Sequence, residues 1–254
     1  MSEAAGVLAT ACEWMRAGRG VVLGTVASTW GSAPRPAGSH IVVAEDGAFT
    51  GSVSGGCVEG AVVQAARAMP AGAPPRLMDF GVSDAEAWSM GLACGGRIEV
   101  LLERGPEAGG LRAVVAALAA RRPLTRAVRL RDGRAECFDR GGVEGPEAIP
   151  GTSAAVTGAA GSETHRAEID GESWLLRPYE PPVRVVLVGA VHVAQALAAV
   201  LAPLGFDVLV VDPRGAFATA ERFPGVRLVQ RWPGDVLGVR HLSVSRDGGD
   251  VEQR

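Results

Sequence analysis

"VRVVLVGAVHVAQALAAVLAPLGFDVLVVDPRGAF", Val183 to Phe217, decides the fold class of the second half of the chain. Val183 to Val188, β-branched or aliphatic at every position but Arg184, stops at Gly189, as a strand entering a turn does. Val191 to Leu201 is continuously small and apolar and reads as a helix; Val208 to Val211 is a second buried strand, followed directly by Asp212. Strand, glycine turn, helix and strand make the opening βαβ unit of a dinucleotide-binding fold. Its usual fingerprint is G-x-G-x-x-G, with an acid about 20 residues on that takes the ribose. Here the six residues are Gly189-Ala190-Val191-His192-Val193-Ala194. Gly189 keeps the tight turn and Ala194 still permits close helix–strand packing, but Val191 crowds the backbone where a pyrophosphate approaches. Gly189, His192 at the helix start and Asp212 at the ribose position are the candidate nucleotide contacts, with NAD(P) as candidate ligand. A Rossmann-like unit kept for packing alone is the competing reading.

Past Asp212 there is one further strand-like run, Val226 to Gln230, and the polar tail has no sustained periodicity. A doubly wound domain needs five or six strands. This one is shortened, and its sheet is expected to leave an unpaired edge for another subunit or the first domain to cover. Upstream, Pro181-Pro182 makes a natural joint. The expected organisation is α/β: an N-terminal mixed α/β domain over residues 1–180, then a shortened Rossmann-like βαβ domain over 183–254.

The N-terminal part alternates short elements. Helical spacing covers residues 3–17, with Gly18 as the stop. Gly20 to Thr29 reads as a buried strand. His40 to Gly56 reads as strand, Asp46-Gly47 turn and strand. A helix starts near Cys57, strands cover "RLMDFGV" and "GRIEVLLERG", and a capping box (Ser83, Glu86) opens a helix between them. A helix closed by Pro123 and a hairpin around Asp132-Gly133 follow, and Gly141 to Gly161 reads mostly as loop.

The chain has 254 residues, 47% of them hydrophobic, which is enough for a real core. A net charge of −3 argues against nucleic acid or an anionic membrane as partner. All 25 basic residues are arginine, so lysine-based covalent chemistry is excluded. The four cysteines make no C-x-x-C pair, which argues against a zinc ribbon, and no stretch is apolar for long enough to span a bilayer. The N-terminus carries no signal-peptide pattern, and the expectation is a cytoplasmic chain with reduced thiols.

Two stretches stand out chemically. "GSVSGGCVEG" (Gly51 to Gly60) and "GLACGGRIEV" (Gly91 to Val100) each set a cysteine against Gly-Gly, with Glu59 and Glu99 shortly after. A thiol at a helix start is pushed toward thiolate, and side-chain-free neighbours let an anionic ligand reach backbone N–H groups. Arg35 and Arg97 could add charge-assisted contacts. Tight turns whose cysteines merely fit are the competing reading. Cys12 and Cys137 read as core residues, and His40 and His165 are too isolated to name as bases.

Three blocks, "GTVASTWGSAPRPAGSHIVVAEDGAFTGSVSGGCVEGAV", "LMDFGVSDAEAWSMGLACGGRIEVLLE" and "VLVGAVHVAQALA" with "FDVLVVDPRGAFATAERFP", together resemble the XdhC/CoxI family over nearly all of residues 5 to 237. The resemblance fades after "RWPGDVL", where the family's C-terminal domain runs on through further strands. It implies a maturation factor rather than an enzyme. Such a chaperone holds the molybdenum cofactor (a molybdopterin) while a cysteine desulfurase supplies its terminal sulfur. It then delivers the cofactor to an apo molybdenum hydroxylase such as xanthine or carbon monoxide dehydrogenase. Carried over by position, the binding region comprises Ser54, Gly55, Gly56, Cys57 and Glu59 with Cys94, Gly95 and Gly96. Cys57 and Cys94 are then soft metal ligands, and the bare glycine backbones cradle pterin and phosphate. A homodimer is one candidate assembly. An NAD(P)-dependent oxidoreductase and an interaction module left by the shortening are the alternatives.

Overall fold

The computed structural model describes residues 3–31, 33–56, 58–82, 96–139 and 154–238. The chain divides between Pro181 and Pro182 into two compact units. The expected helix opened by Ser83, most of the expected loop from Gly141 and the tail beyond residue 238 lie outside the described residues.

In the first unit the sheet is built on β1 (Val21–Gly31), whose first seven residues are all buried. Such a run survives only where both faces of a strand are covered. With β2 (His40–Ala44), β3 (Phe49–Gly51), β4 (Arg76–Val82) and β5 (Gly96–Arg104) it forms an antiparallel sheet of order β3-β2-β1-β5-β4. One face packs Val22, Val26, Ile41 and Val100 against Val62 and Ala66 of helix α2 (Glu59–Arg67). The opposite face packs Leu23 and Val42 against Leu8 of α1 (Glu3–Arg16) and against Leu111 and Val114 of α3 (Ala108–Ala119). The strand–turn–strand around Asp46-Gly47 forms as expected; α2 begins at Glu59, two residues later than the sequence suggested.

A second antiparallel sheet, of order β7-β6-β9-β8, is built from β6 (Leu124–Arg129), β7 (Ala135–Phe138), β8 (His165–Ile169) and β9 (Glu172–Tyr179). The β6–β7 hairpin turns at Asp132-Gly133 as expected, whereas β8 was not anticipated. The short helix α4 (Ala154–Gly158) falls inside the stretch read as loop. It forms because Val156 plugs into the core made by Ala127, Trp174 and Leu176. The other face of this sheet meets the first one through Val128 and Leu175 against Ala27 and Leu101.

Polar contacts lock the two sheets together. Arg126 donates two hydrogen bonds, of 2.7 and 3.0 Å, to the carboxylate of Glu103, and both side chains are only 3% exposed. His40 lies between Thr25 and Tyr179, with 3.0 Å from each ring nitrogen to a hydroxyl. Burial holds its pKa well below the ordinary histidine value, so the ring is neutral and structural. Cys137 is buried in the same core, where loss of water pushes its thiol up to about 11, in keeping with the inert role expected of it.

The second unit is a parallel three-stranded sheet of order β10-β11-β12, built from β10 (Arg184–Val188), β11 (Asp207–Val211) and β12 (Arg227–Val229). Helix α5 (His192–Leu201) connects the first two strands, and α6 (Pro233–Leu237) follows the third. Ala190, Ala194 and Ala198 let the helix lie close on Val208 and Val210, completing the βαβ unit read from the sequence. Among the described residues no strand covers the far edge of β10, and Val188, Val193 and Val200 stay more than half exposed.

Removing one partner of a buried ion pair leaves the other charge without compensation. Arg126→Met is therefore expected to lower stability by about 3–5 kcal/mol, measured by urea unfolding. The double replacement Arg126→Met, Glu103→Leu should recover most of that loss.

Candidate functional site

After β3 the chain turns through Ser52 to Gly56 and then rises into α2. Gly51 has φ +89°, and a Cβ there would fall 2.3 Å from the His40 carbonyl oxygen, so no larger residue fits the turn. The loop closes around the side chain of Glu59, the first residue of α2. Its Oε1 accepts from the backbone N–H groups of Val53, Ser54 and Gly55 and from the Ser52 hydroxyl. Its Oε2 accepts from the Ser54 hydroxyl at 2.5 Å and from the Gly56 N–H at 2.8 Å. The Ser54 oxygen in turn accepts from the Val58 N–H, and that of Ser52 from the Gly55 N–H. Glu59 is only 8% exposed. Burial pushes its carboxyl pKa upward, but the hydroxyls of Ser54 and Ser52 and the loop's N–H groups outweigh it and hold the group well below the usual carboxylate range.

This corrects one expectation. The N–H groups of Gly55 and Gly56 do not stand ready to cradle a phosphate, because an internal carboxylate already fills the nest they make. Glu59 is neither a solvated helix face nor an available base; it shapes the loop. What the glycines leave open is their Cα side: a Cβ at Gly56, whose φ is +122°, would meet nothing within 4 Å.

Cys57, Cys94 and Gly95 lie outside the described residues, but their neighbours do not. β1 is antiparallel to β2 and to β5, so Gly31 at its end pairs with Gly96 at the start of β5, on the same side as the start of β2. β3 finishes there too, with Gly51 opposite Ile41, and β4 finishes there with Val82 opposite Gly96. The chain toward Cys57 and the chain on either side of Cys94 therefore leave from one end of one sheet. Gly55 lies beside Pro34 in the β1–β2 connection, which brings the glycine loop inward over that end.

Next to Gly96 is a cleft of about 790 Å³, lined among others by Ser28, Trp30, Asp79, Arg97, Glu99 and Arg166. Arg97 pairs with Asp79 at 2.8 Å, and Arg35, the other arginine singled out in the sequence, pairs with Glu3 at 2.6 Å. Trp30 was not singled out, because strand alternation alone does not tell which way it faces. Among the described residues no group of three or more His, Cys, Asp or Glu side chains is arranged to hold a metal ion.

The second unit brings Gly189 and Asp212 together at the turn from β10 into α5, with His192 exposed at the first position of the helix. Gly189 has φ +95°, as the tight turn requires. Asp212 is 1% exposed; it accepts the Ala190 N–H at 2.8 Å and the N–H, Nε and Nη2 of Arg214. The hydrogen bonds from Arg214 hold its carboxyl below the usual range. Both oxygens thus close the turn and anchor Arg214.

Two family descriptions fit the chain in order: residues 14–81 match the XdhC and CoxI family, and residues 185–246 match the XdhC Rossmann domain. The chain belongs to the XdhC/CoxI family. The second match runs beyond Leu237, where the resemblance read from the sequence had faded. Among curated relatives, the molybdenum cofactor insertion chaperone PaoD of Escherichia coli (strain K12) is 32% identical over 216 residues, 85% of this chain and 60% of PaoD. A Bacillus subtilis (strain 168) protein named as a probable xanthine dehydrogenase subunit is 28% identical over 225 residues, 85% of this chain and 67% of that protein. This XdhC/CoxI chain thus spans three fifths to two thirds of the length of these relatives. A crystal structure described as a xanthine dehydrogenase from Bacillus halodurans shares the fold, with a TM-score of 0.66 over 94% of this chain and 71% of that one, at 22% identity. No described helix is long and apolar enough to cross a membrane.

Glu59→Gln keeps the shape of the side chain but removes its charge and turns one acceptor into a donor. It is expected to cost on the order of 3 kcal/mol in thermal or urea unfolding and to speed amide exchange at Val53 to Gly56. Because the folded carboxyl is held below its unfolded value of about 4.3, its contribution is complete above that pH and fades as the solution becomes more acid. The wild-type chain should therefore lose stability below about pH 4 more steeply than Glu59→Gln.

Proposed function

We propose that this chain is a carrier for the molybdenum cofactor. It binds the cofactor as cargo, shields it while a cysteine desulfurase supplies the terminal sulfur, and releases it to an apo molybdenum hydroxylase of the xanthine or carbon monoxide dehydrogenase type. The observation that carries the reading is the shared end of the first sheet, from which the Gly55-Gly56-Cys57 and Cys94-Gly95-Gly96 segments depart. Cys57 and Cys94 are the proposed soft donors to molybdenum, since thiolates suit a thiophilic metal and exchange readily. Ser54, Gly55 and Gly56 form the wall beside them. Glu59 acts as a positioning residue that fixes this wall, and Gly95 and Gly96 are the proposed contacts from the second segment. A carrier needs few contacts that a client can replace, and a loop tied to its own internal carboxylate stays shaped when the cargo leaves. The name of PaoD is in keeping with this role.

The second unit is proposed to serve assembly. The edge of β10, which no strand covers among the described residues, and the exposed apolar residues of α5 favour a homodimer. NAD(P) is the less favoured ligand there: Asp212, which would hold a ribose, is already saturated by Ala190 and Arg214.

The test is retention. Molybdenum cofactor released from a donor enzyme is mixed with the purified chain, and pterin fluorescence is measured in the protein fraction after gel filtration. Wild type is expected to retain the cofactor, and Cys57→Ala with Cys94→Ala to lose at least nine tenths of it, about 1.4 kcal/mol of binding. Equal retention by the double variant would remove the thiols from the site. Micromolar saturation with NADH or NADPH would favour the oxidoreductase instead.

A further inference from the structure

The cleft beside Gly96 is built by an irregularity in β1. Up to Val26 the strand pairs in regular alternation with β5; between Val26 and Ser28 the register shifts by one residue at Ala27. A bulge turns every later side chain to the other face. Without it Thr29 would stand opposite Arg97, and Trp30 would point to the α2 side. With it, Ser28 stands opposite Glu99 and Trp30 opposite Arg97, on the face that carries Leu101 and, on β4, Asp79. Nearer the centre that face is closed by the second sheet through Val128 and Leu175. At its end it opens into the cleft, and Arg166 on β8 forms the far wall.

The chemistry of the lining is specific. Trp30 is 81% exposed, so its ring is available as a platform. Glu99 stands beside it with its side chain 24% exposed. Its Oε2 accepts the Ser28 hydroxyl at 2.5 Å, and its Oε1 is 3.7 Å from Arg166. An ionised carboxylate only accepts, and its two oxygens offer about four lone-pair positions. Ser28 takes one, which leaves an outward edge that matches two adjacent N–H donors on a flat ring. A 2-amino-4-oxopyrimidine, the edge shared by pterins and guanine, presents that pair; adenine presents one donor beside a lone pair and would be repelled.

We propose that Glu99 and Trp30 form the recognition site for an aminopyrimidinone ring: Glu99 accepts the ring N–H and the exocyclic amine, and Trp30 stacks on the ring face. This deepens the carrier reading and rests on it, since the cargo's organic part is a pterin. The same chemistry would accept a guanine nucleotide, and the experiment separates the two.

Binding of neopterin to the full chain is followed by fluorescence anisotropy, with GMP and AMP as competitors. Neopterin binding and displacement by GMP but not AMP are expected. Glu99→Gln should weaken neopterin tenfold to about a hundredfold. Trp30→Ala should weaken it about tenfold, and Trp30→Phe should restore most of that loss. Tighter binding of neopterin assigns the site to a pterin, and tighter binding of GMP assigns it to a guanine nucleotide; either supports the ring edge. Displacement by AMP as strong as by GMP, or unchanged affinity in Glu99→Gln, overturns the proposal. Should Glu99→Gln fail to fold, the exposed Trp30→Ala decides alone. A wild type that binds neopterin but retains no molybdenum cofactor refutes the carrier and leaves this site standing; full cofactor retention by Glu99→Gln with unchanged neopterin binding does the reverse.

Discussion

One buried carboxylate sets the geometry on which the N-terminal site depends. Glu59 draws four consecutive backbone N–H groups and two serine hydroxyls around itself at the foot of α2. A backbone nest of this kind usually waits for an external anion; here the anion is covalently part of the chain. The loop consequently keeps its shape without a ligand, and glycine is needed only where φ is positive, at Gly51 where the chain enters it and at Gly55 and Gly56. Such preorganisation lowers the ordering cost of binding and leaves little to collapse when a guest departs.

Where that loop stands follows from strand direction. An antiparallel sheet returns the chain to the same end at every second crossing. β1, β3 and β4 finish, and β2 and β5 begin, along one end of the first sheet. Two cysteine segments that are far apart in sequence therefore leave toward the same end of the sheet, one from β3 at one edge and the other from β4 and β5 at the opposite edge, with the Ala27 bulge and the cleft toward that end. The opposite end, toward Val21 and Arg104, carries none of these features. Concentrating the unusual backbone at one end lets the rest of β1 stay buried and regular.

The buried polar contacts divide into two kinds. Arg126 with Glu103, and His40 with Thr25 and Tyr179, tie the two sheets of the first unit together and are fully enclosed. Asp212 with Ala190 and Arg214 does similar work in the second unit, where a ribose-binding acid was expected. The aspartate was legible in the sequence; its partner was not, because nothing in the spacing of Asp212 and Arg214 says that the guanidinium folds back onto the carboxylate. The same applies to Glu59. Its distance from the glycines was visible, but a glutamate at a helix start reads equally as a solvated dipole partner.

By itself the sequence determined the element types and their order as far as the hairpin around Asp132-Gly133, the proline joint, the βαβ unit with its small-residue helix face, and the family. Each of these rests on local periodicity or on contiguous motifs, which adjacent residues carry without reference to the rest of the chain. Only the tertiary structure decided that the glycine loop encloses Glu59, that Asp212 is saturated, that Val156 turns an apparent loop into a helix, and that Trp30 stands on the same sheet face as Glu99. These depend on which strands pair and in what register, and a single bulged residue at Ala27 reverses the facing of everything after it.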